Sequence, residues 1–303
     1  MFAKVNAKAD NMNRPVFDAR DTGGNALGPL PEWDLSDLYA ATDCPEISRD
    51  LDWLEQACAE FAVEVEGKLA GLDAAHMLSV VQRFERIDVV AGRVMSFAGL
   101  RYYQQTTDSN RAKFLSDCED RITAYTTPMV FYALEFNRLD EGHLASLLAV
   151  NADLARYKPV FDRMRAMKPY QLSDELEKFL HDQSTVGASA WNKLFDETIA
   201  GLTFTVDGQE LNIEGTLNLL TDQDRPTREA ATHALAGVFA THVKTFARIH
   251  NTLAKEREIE DRWRGMPTPQ TGRHLSNHVE PEVVQALRDA VVAAYPRLSH
   301  RYY

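Results

Sequence analysis

The chain has 303 residues, 45% hydrophobic and 26% charged, with 15 glycines and 12 prolines. Such values exclude a disordered, collagen-like or low-complexity chain and disfavour an all-β design rich in tight turns, while the length suffices for two or three domains or one large one. Acids outnumber bases 45 to 33, a net charge of −12 without any local basic stripe, so nucleic acid is not an expected partner.

Residues 1–30 lack hydrophobic periodicity and hold Gly23, Gly24, Gly28 and Pro29, which reads as a flexible tail. Order is expected from Pro31 onward, because Trp33, Leu35, Leu38 and Tyr39 need a surface to bury against. Asp43 followed by Glu46 resembles a capping box, with Pro45 in the first turn. Behind it Ile47, Leu51, Leu54, Cys58, Phe61 and Val65 recur at the helical period, and Gly67 and Gly71 close the run. Asp73 is placed to cap a second helix whose stripe is Met77, Val80, Phe84, Ile87, Ala91, Val94, Ala98 and Tyr102. Asp108 is placed to cap a third, carrying Phe114, Cys118, Ile122, Tyr125, Met129 and Tyr132. Pro128 lies inside that pattern and, lacking an N–H, predicts a kink or a split. Helical stretches near 140–150, 153–167 and 173–200 follow, with no fixed repeat to support an α-solenoid.

At Leu202–Ile213 the period switches. Apolar and polar residues alternate on both sides of Asp207-Gly208, a dipeptide suited to the positive φ angles of a type I′ turn, so a β-hairpin is predicted. Asp224-Arg225-Pro226 then opens a long helix with a buried stripe of Leu235, Val238, His242, Phe246, Ile249 and Leu253. It runs toward Trp263 and ends at Gly265–Pro269. A last helix starts near Glu280-Pro281-Glu282 and carries Val283, Val284, Leu287, Val291 and Val292. Leu298–Tyr303 reads as the opening of one more, and the chain is expected to be the front part of a longer polypeptide.

Signals for chemistry are sparse. His274 and His278 have the spacing of a helical zinc pair, but Leu275 stands where the general base of H-E-x-x-H belongs, and the local pattern predicts a loop. His242 reads as a hydrogen-bonded core or cleft histidine; His233 and His250 lie on the same long helix. Lys255–Arg262 mixes charge signs at i, i+4 spacing and reads as a solvated face. Asp117, Glu119 and Asp120 read as surface residues. G-x-G-x-x-G, a Walker loop, G-x-S-x-G and H-E-x-x-H are all absent from the 303 residues. No window holds the ~18 apolar residues of a membrane helix. Lys4 and Lys8 precede no apolar run, and Asp10, Asp18 and Asp21 argue against a transit peptide. Cys44, Cys58 and Cys118 form no C-x-x-C pair, and the latter two occupy apolar helical positions. A reducing, cytoplasmic setting is the expectation.

Four ordered strings extend this reading. Val186-Gly187-Ala188-Ser189-Ala190-Trp191-Asn192-Lys193-Leu194-Phe195-Asp196-Glu197, followed by Leu202-Thr203-Phe204, resembles oligoendopeptidase F, a group of zinc metallopeptidases related to thimet oligopeptidase. Trp33–Tyr39 resembles the opening of that family. Leu217–Leu220 through Asp224-Arg225 and Arg228–Ala230 resembles its post-hairpin helix start, and Tyr295-Pro296 with His300–Tyr303 the approach to its next helix. One departure is Tyr170, where many relatives carry His.

The resemblance implies a mainly α fold: a flexible tail (1–30), a helical N-terminal lobe (31–200), then a β-hairpin and the first helices of a zincin-like catalytic domain (201–303). It implies a zinc-dependent endopeptidase that hydrolyses internal bonds of short peptides in a deep cleft. The zinc ligands and base of such enzymes have no matching position here, so catalytic, cofactor-binding and metal residues are none, and this chain by itself is not expected to bind zinc specifically or to cleave peptides. The competing expectation is an inert helical binding or scaffold protein of the same ancestry. Short peptides are the expected partners, with neither nucleic acid nor membrane. Self-association is expected through apolar helix faces among Val238, Phe246, Ile249, Val284, Leu287 and Val291.

Overall fold

The computed structural model describes residues 34–303. The expectation of a flexible tail over 1–30, and the Trp33 anchor, lie outside these residues. The described residues divide into two compact units, 201–242 and 34–200 with 243–303. The fold is mainly α.

The larger unit begins with α1 (Pro45–Val65), α2 (Ala74–Gln104) and α3 (Ser109–Thr126). All six stripe residues of α1 are buried. Its N-cap, however, is Cys44, which makes no side-chain cap bond, so the capping box at Asp43 and Glu46 is not formed. Pro45 occupies the first helical position and thereby sets the start one residue later than Asp43 would need. Asp73 caps α2 as expected, its Oδ1 accepting from the backbone N–H groups of Ala75 and His76 at 3.0 and 2.9 Å. Asp108 does the same for α3 through Asn110 and Arg111. At Pro128 the helix breaks into a 3-10 turn, Thr127–Val130, before α4 (Phe131–Arg138).

Helix α2 packs against α1 and α3. Phe61 sits at the centre of an aromatic cluster with Phe84, Phe131 and Tyr132, the last two rings of which lie 6.0 and 5.7 Å from it. Shorter helices α5 (Glu141–Val150), α6 (Ala152–Ala155) and α7 (Lys158–Ala166) cover this core, with Leu144, Leu147, Leu154 and Phe161 buried. Then come α8 (Asp174–Gln183) and α9 (Ala188–Ala200).

The smaller unit opens with the expected hairpin, β1 (Phe204–Val206) and β2 (Gln209–Leu211), paired antiparallel with Phe204 opposite Leu211. Asp207 and Gly208 turn with φ of 49° and 80°, the two positive angles a type I′ turn demands. Val206 packs with Leu219 of α10 (Ile213–Leu219) and with Ala231 of α11 (Arg225–Arg264).

The 40 residues of α11 include the boundary between the units. The continuous buried stripe expected on it is not realised: Leu235 and Ile249 are buried, whereas Val238, His242, Phe246 and Leu253 are half-buried. At ~1.5 Å per residue this helix is about 60 Å long, longer than the core of one small unit can cover. It ends as expected at Gly265, which adopts φ +68° while the Met266 N–H bonds back to the Asp261 carbonyl.

The loop predicted around His274–His278 is instead a helix, α12 (Thr271–Asn277). The two prolines flanking the region, Pro269 and Pro281, leave room for two turns, and His278 terminates them with φ 52°. α13 (Pro281–Ala294) and α14 (Ser299–Tyr302) complete the chain.

Candidate functional site

The sequence of α8 places Leu176, Phe179, Leu180 and Gln183 at i, i+3, i+4 and i+7, one face of a helix. The second half of α11 places Arg248, Asn251, Thr252, Lys255, Glu256, Ile259 and Trp263 on another single face by the same period. With Leu172, Val186 and Trp191 they bound a groove of about 810 Å³. Phe179, Ile259 and Trp263 are all exposed in it, so its floor is apolar and open to solvent. That combination suits an extended chain with apolar side chains.

Two polar devices hold the walls. Glu256 reaches from α11 to the start of α9, where its Oε1 accepts from the Ala188 N–H at 3.1 Å. A Cβ on Gly187 would stand 2.6 Å from that oxygen, so the glycine is what lets the carboxylate approach. The second device is Arg264, whose side chain is 9% exposed against 14% for its partner Glu177. Arg264 Nη1 and Nη2 donate to the two oxygens of Glu177 at 2.6 and 3.0 Å, a fork-to-fork pair. Its Nε donates to Glu260 at 2.8 Å and Nη1 also to the Tyr170 carbonyl at 3.2 Å. Tyr170 therefore serves this node through its backbone, and a change from His there leaves that bond available.

Burial alone would raise the Glu177 pKa, but hydrogen bonds from Arg264 and from the Leu172 N–H, with the guanidinium charge, hold it below the usual carboxylate range. A carboxylate fixed in that way stabilises structure and is a poor proton acceptor. The Arg264 pKa is raised by the same pairing. His181 lines a polar pocket of about 420 Å³ with Glu177, Glu256, Glu260 and Arg264. Its own pKa is lowered by burial, partly offset by Asp182 and a bond at Thr123. Thr126 Oγ1 donates to the Ile122 carbonyl at 2.8 Å and so accepts from His181 Nε2 at 3.0 Å.

These residues were only partly anticipated. The Lys255–Arg262 run is expected to form a solvated helix face, and Lys255, Arg257, Glu258 and Arg262 are exposed. Glu256 and Glu260 are half-buried and line the groove, a correction whose signal was the i, i+4, i+8 series Glu256, Glu260, Arg264. Asp117 is exposed and bonded to Lys113, and Asp120 is exposed. Glu119 is half-buried and pairs with Lys193 of α9, tying α3 to it. His242 is half-buried with Nδ1 2.9 Å from Thr241 Oγ1, and His233 and His250 are exposed. His274 belongs to α12, while His278 leaves the helix in a left-handed conformation, so the pair is not held on one helical face. Among the described residues no group of three or more His, Cys, Asp or Glu is arranged to hold a metal ion. The donors of residues 34–303 thus do not fit the zinc that the resemblance implies.

The fold is shared with a solved enzyme. Crystalline oligoendopeptidase-F from Enterococcus faecium superposes with a TM-score of 0.75 at 20% identity, over 85% of this chain and 51% of that one. A sequence family described as Oligopeptidase F matches residues 135–204, which include α8 and α9 and end on the first residue of β1. The group B oligopeptidase PepB of Streptococcus agalactiae is 22% identical over 282 residues, 89% of this chain and 45% of the relative. The plasmid oligoendopeptidase F of Lactococcus lactis subsp. cremoris is 22% identical over 287 residues, 90% and 46% respectively. The chain resembles oligoendopeptidase F, and it spans a little under half the length of these curated relatives.

Proposed function

We propose that the chain supplies the helical, cleft-wall part of a zinc-dependent oligopeptidase acting on short peptides, with the zinc and the catalytic base outside residues 1–303. The observation that carries this reading is the α8–α9–α11 groove. It is built in part from the Val186–Glu197 string, within the segment matched to Oligopeptidase F. Its two carboxylates are spent on positioning: Glu256 on the start of α9 and Glu260 on Arg264. Its role is therefore to bind a peptide rather than to attack one.

The same reading places the protein in a reducing cytoplasm, supported by free Cys44, Cys58 and Cys118, two of them buried. Among the described residues no helix is long and apolar enough to cross a membrane. Self-association belongs to the reading as well, through α13, where Val283, Leu287, Val291 and Val292 are exposed.

Peptide titration followed by tryptophan fluorescence tests the groove, since Trp191 and Trp263 line it. Short apolar peptides produce a saturable change, and Ile259→Asp abolishes it. No saturable change at about 1 mM peptide, where binding free energy is only ~4 kcal/mol, would remove the groove as a peptide site.

A further inference from the structure

The larger unit contains another cavity, of about 710 Å³, walled by α2, α3, α4 and α7 and reached also by α8 and Arg264. Met95, Met129, Met164 and Met167 line it with Phe84 and Leu134. Four methionines give a wall that is apolar, polarisable and able to adapt to a flexible guest.

One polar group in this wall is unmet. Asn137 is only 4% exposed, lines the cavity, and its Oδ1 has no hydrogen-bond partner. The orientation of its amide follows from a chain of bonds that begins at a backbone atom. The Leu134 carbonyl can only accept, so Gln171 presents Nε2 to it at 3.4 Å. Gln171 Oε1 then faces Asn137 and accepts from Nδ2 at 3.1 Å. The atom left over is therefore an acceptor, and leaving it buried and unpaired is unfavourable. Only a donor answers it.

Charge narrows the ligand further. Glu177 and Arg264 line the same cavity but neutralise each other, and Asp88 is exposed. A charged guest would be desolvated there without a buried counter-charge. We propose that this cavity binds an uncharged, flexible, chiefly apolar ligand with one hydrogen-bond donor, of the class of a medium-chain primary amide or alcohol. The donor meets Asn137 Oδ1 and the chain lies on the four methionines. The proposal does not rest on peptide binding in the α8–α9–α11 groove or on any peptidase activity.

The test is NMR of the full chain labelled at its methionine methyl groups, titrated with octanamide and, separately, with methyl octanoate, which has no donor. Octanamide shifts the methyls of Met95, Met129, Met164 and Met167 saturably while those of Met77 and Met266 stay in place, and it binds about five- to tenfold more tightly than the ester. Asn137→Leu, close in size but without the acceptor, abolishes that preference and keeps ester binding. Ala91→Phe, at a half-buried position lining the cavity, blocks both probes, with the Met77 methyl reporting an intact core. Absence of saturable shifts, equal affinity for the two probes, or a preference that survives Asn137→Leu overturns the proposal. Should Asn137→Leu fail to fold, the two probes on the unaltered chain and Ala91→Phe decide it.

Discussion

At the scale of single residues, His181 and Glu177 make stability depend on acid in two steps. Burial disfavours the imidazolium of His181, so the folded chain takes up that proton at a lower pH than the unfolded one, whose ordinary value is 6.5. As pH falls below about 6.5 the unfolded state binds the proton first, and stability is lost from there down to the lower folded value. For Glu177 the folded pKa is also depressed, from an ordinary 4.5. Its contribution is complete above 4.5 and disappears as pH falls through the folded value. Thermal melting between pH 7 and pH 3 is therefore expected to show a decline beginning near 6.5 and a further one below 4.5. His181→Gln removes the first and spares the second; a first decline unchanged in that variant would assign it to other groups. In the sequence the carboxylate and the histidine are visible only as members of the helical stretch near 173–200. Their partners lie 87 residues away for Glu177 and 55 for His181, and no local pattern encodes such separations.

At the scale of elements, legibility followed the reach of the determining forces. The caps at Asp73 and Asp108, the break at Pro128 and the turn at Asp207-Gly208 are decided within three or four residues, and each was readable. Failures came where neighbours compete. Asp43 lost the cap of α1 to the geometry of Pro45, and α12 formed although the local pattern, with the next helix opening only near Pro281, argued for a loop. The hairpin offers a quantitative check. Gly208 holds φ at +80° with nothing within 4 Å of a would-be Cβ, so Gly208→Ala meets conformational strain but no clash. The left-handed region costs an L-residue about 1–2 kcal/mol, which speeds amide exchange across the hairpin roughly 5- to 30-fold if opening is local. Unchanged exchange at Val206 and Gln209, the opposed pair that flanks the turn, would mean that the turn is not what holds the two strands in register.

At the scale of the whole molecule, apolar surface is unevenly distributed. Phe61, Phe131 and Tyr132 are buried at the centre of the larger unit's core, whereas α13 leaves Leu287 66% and Val283 55% exposed along a helix with no buried residue. The expected self-associating set is corrected in part, because Ile249 is buried and Val238, Phe246 and Val284 are half-buried. Leu287 and Val291 remain as candidates. At ~25 cal/mol per Å² of apolar area, a face of a few hundred Å² contributes several kcal/mol toward association, before the entropy of docking is subtracted. Light scattering over a concentration series is expected to show mass rising with concentration, and Leu287→Glu to reverse it. A strictly monomeric parent chain would leave α13 as an inert exposed helix.

The claim that this chain binds peptides without cutting them is tested most directly by turnover. Glu177 and Glu260 are committed to Arg264 and Glu256 to the start of α9, and H-E-x-x-H is absent from the 303 residues. The decisive measurement is hydrolysis of a fluorescence-quenched peptide by the purified 303-residue chain with added zinc, with and without chelator. The account predicts a rate indistinguishable from buffer in both. Zinc-dependent turnover that the chelator abolishes, and that remains with the chain through a final purification step, would contradict it.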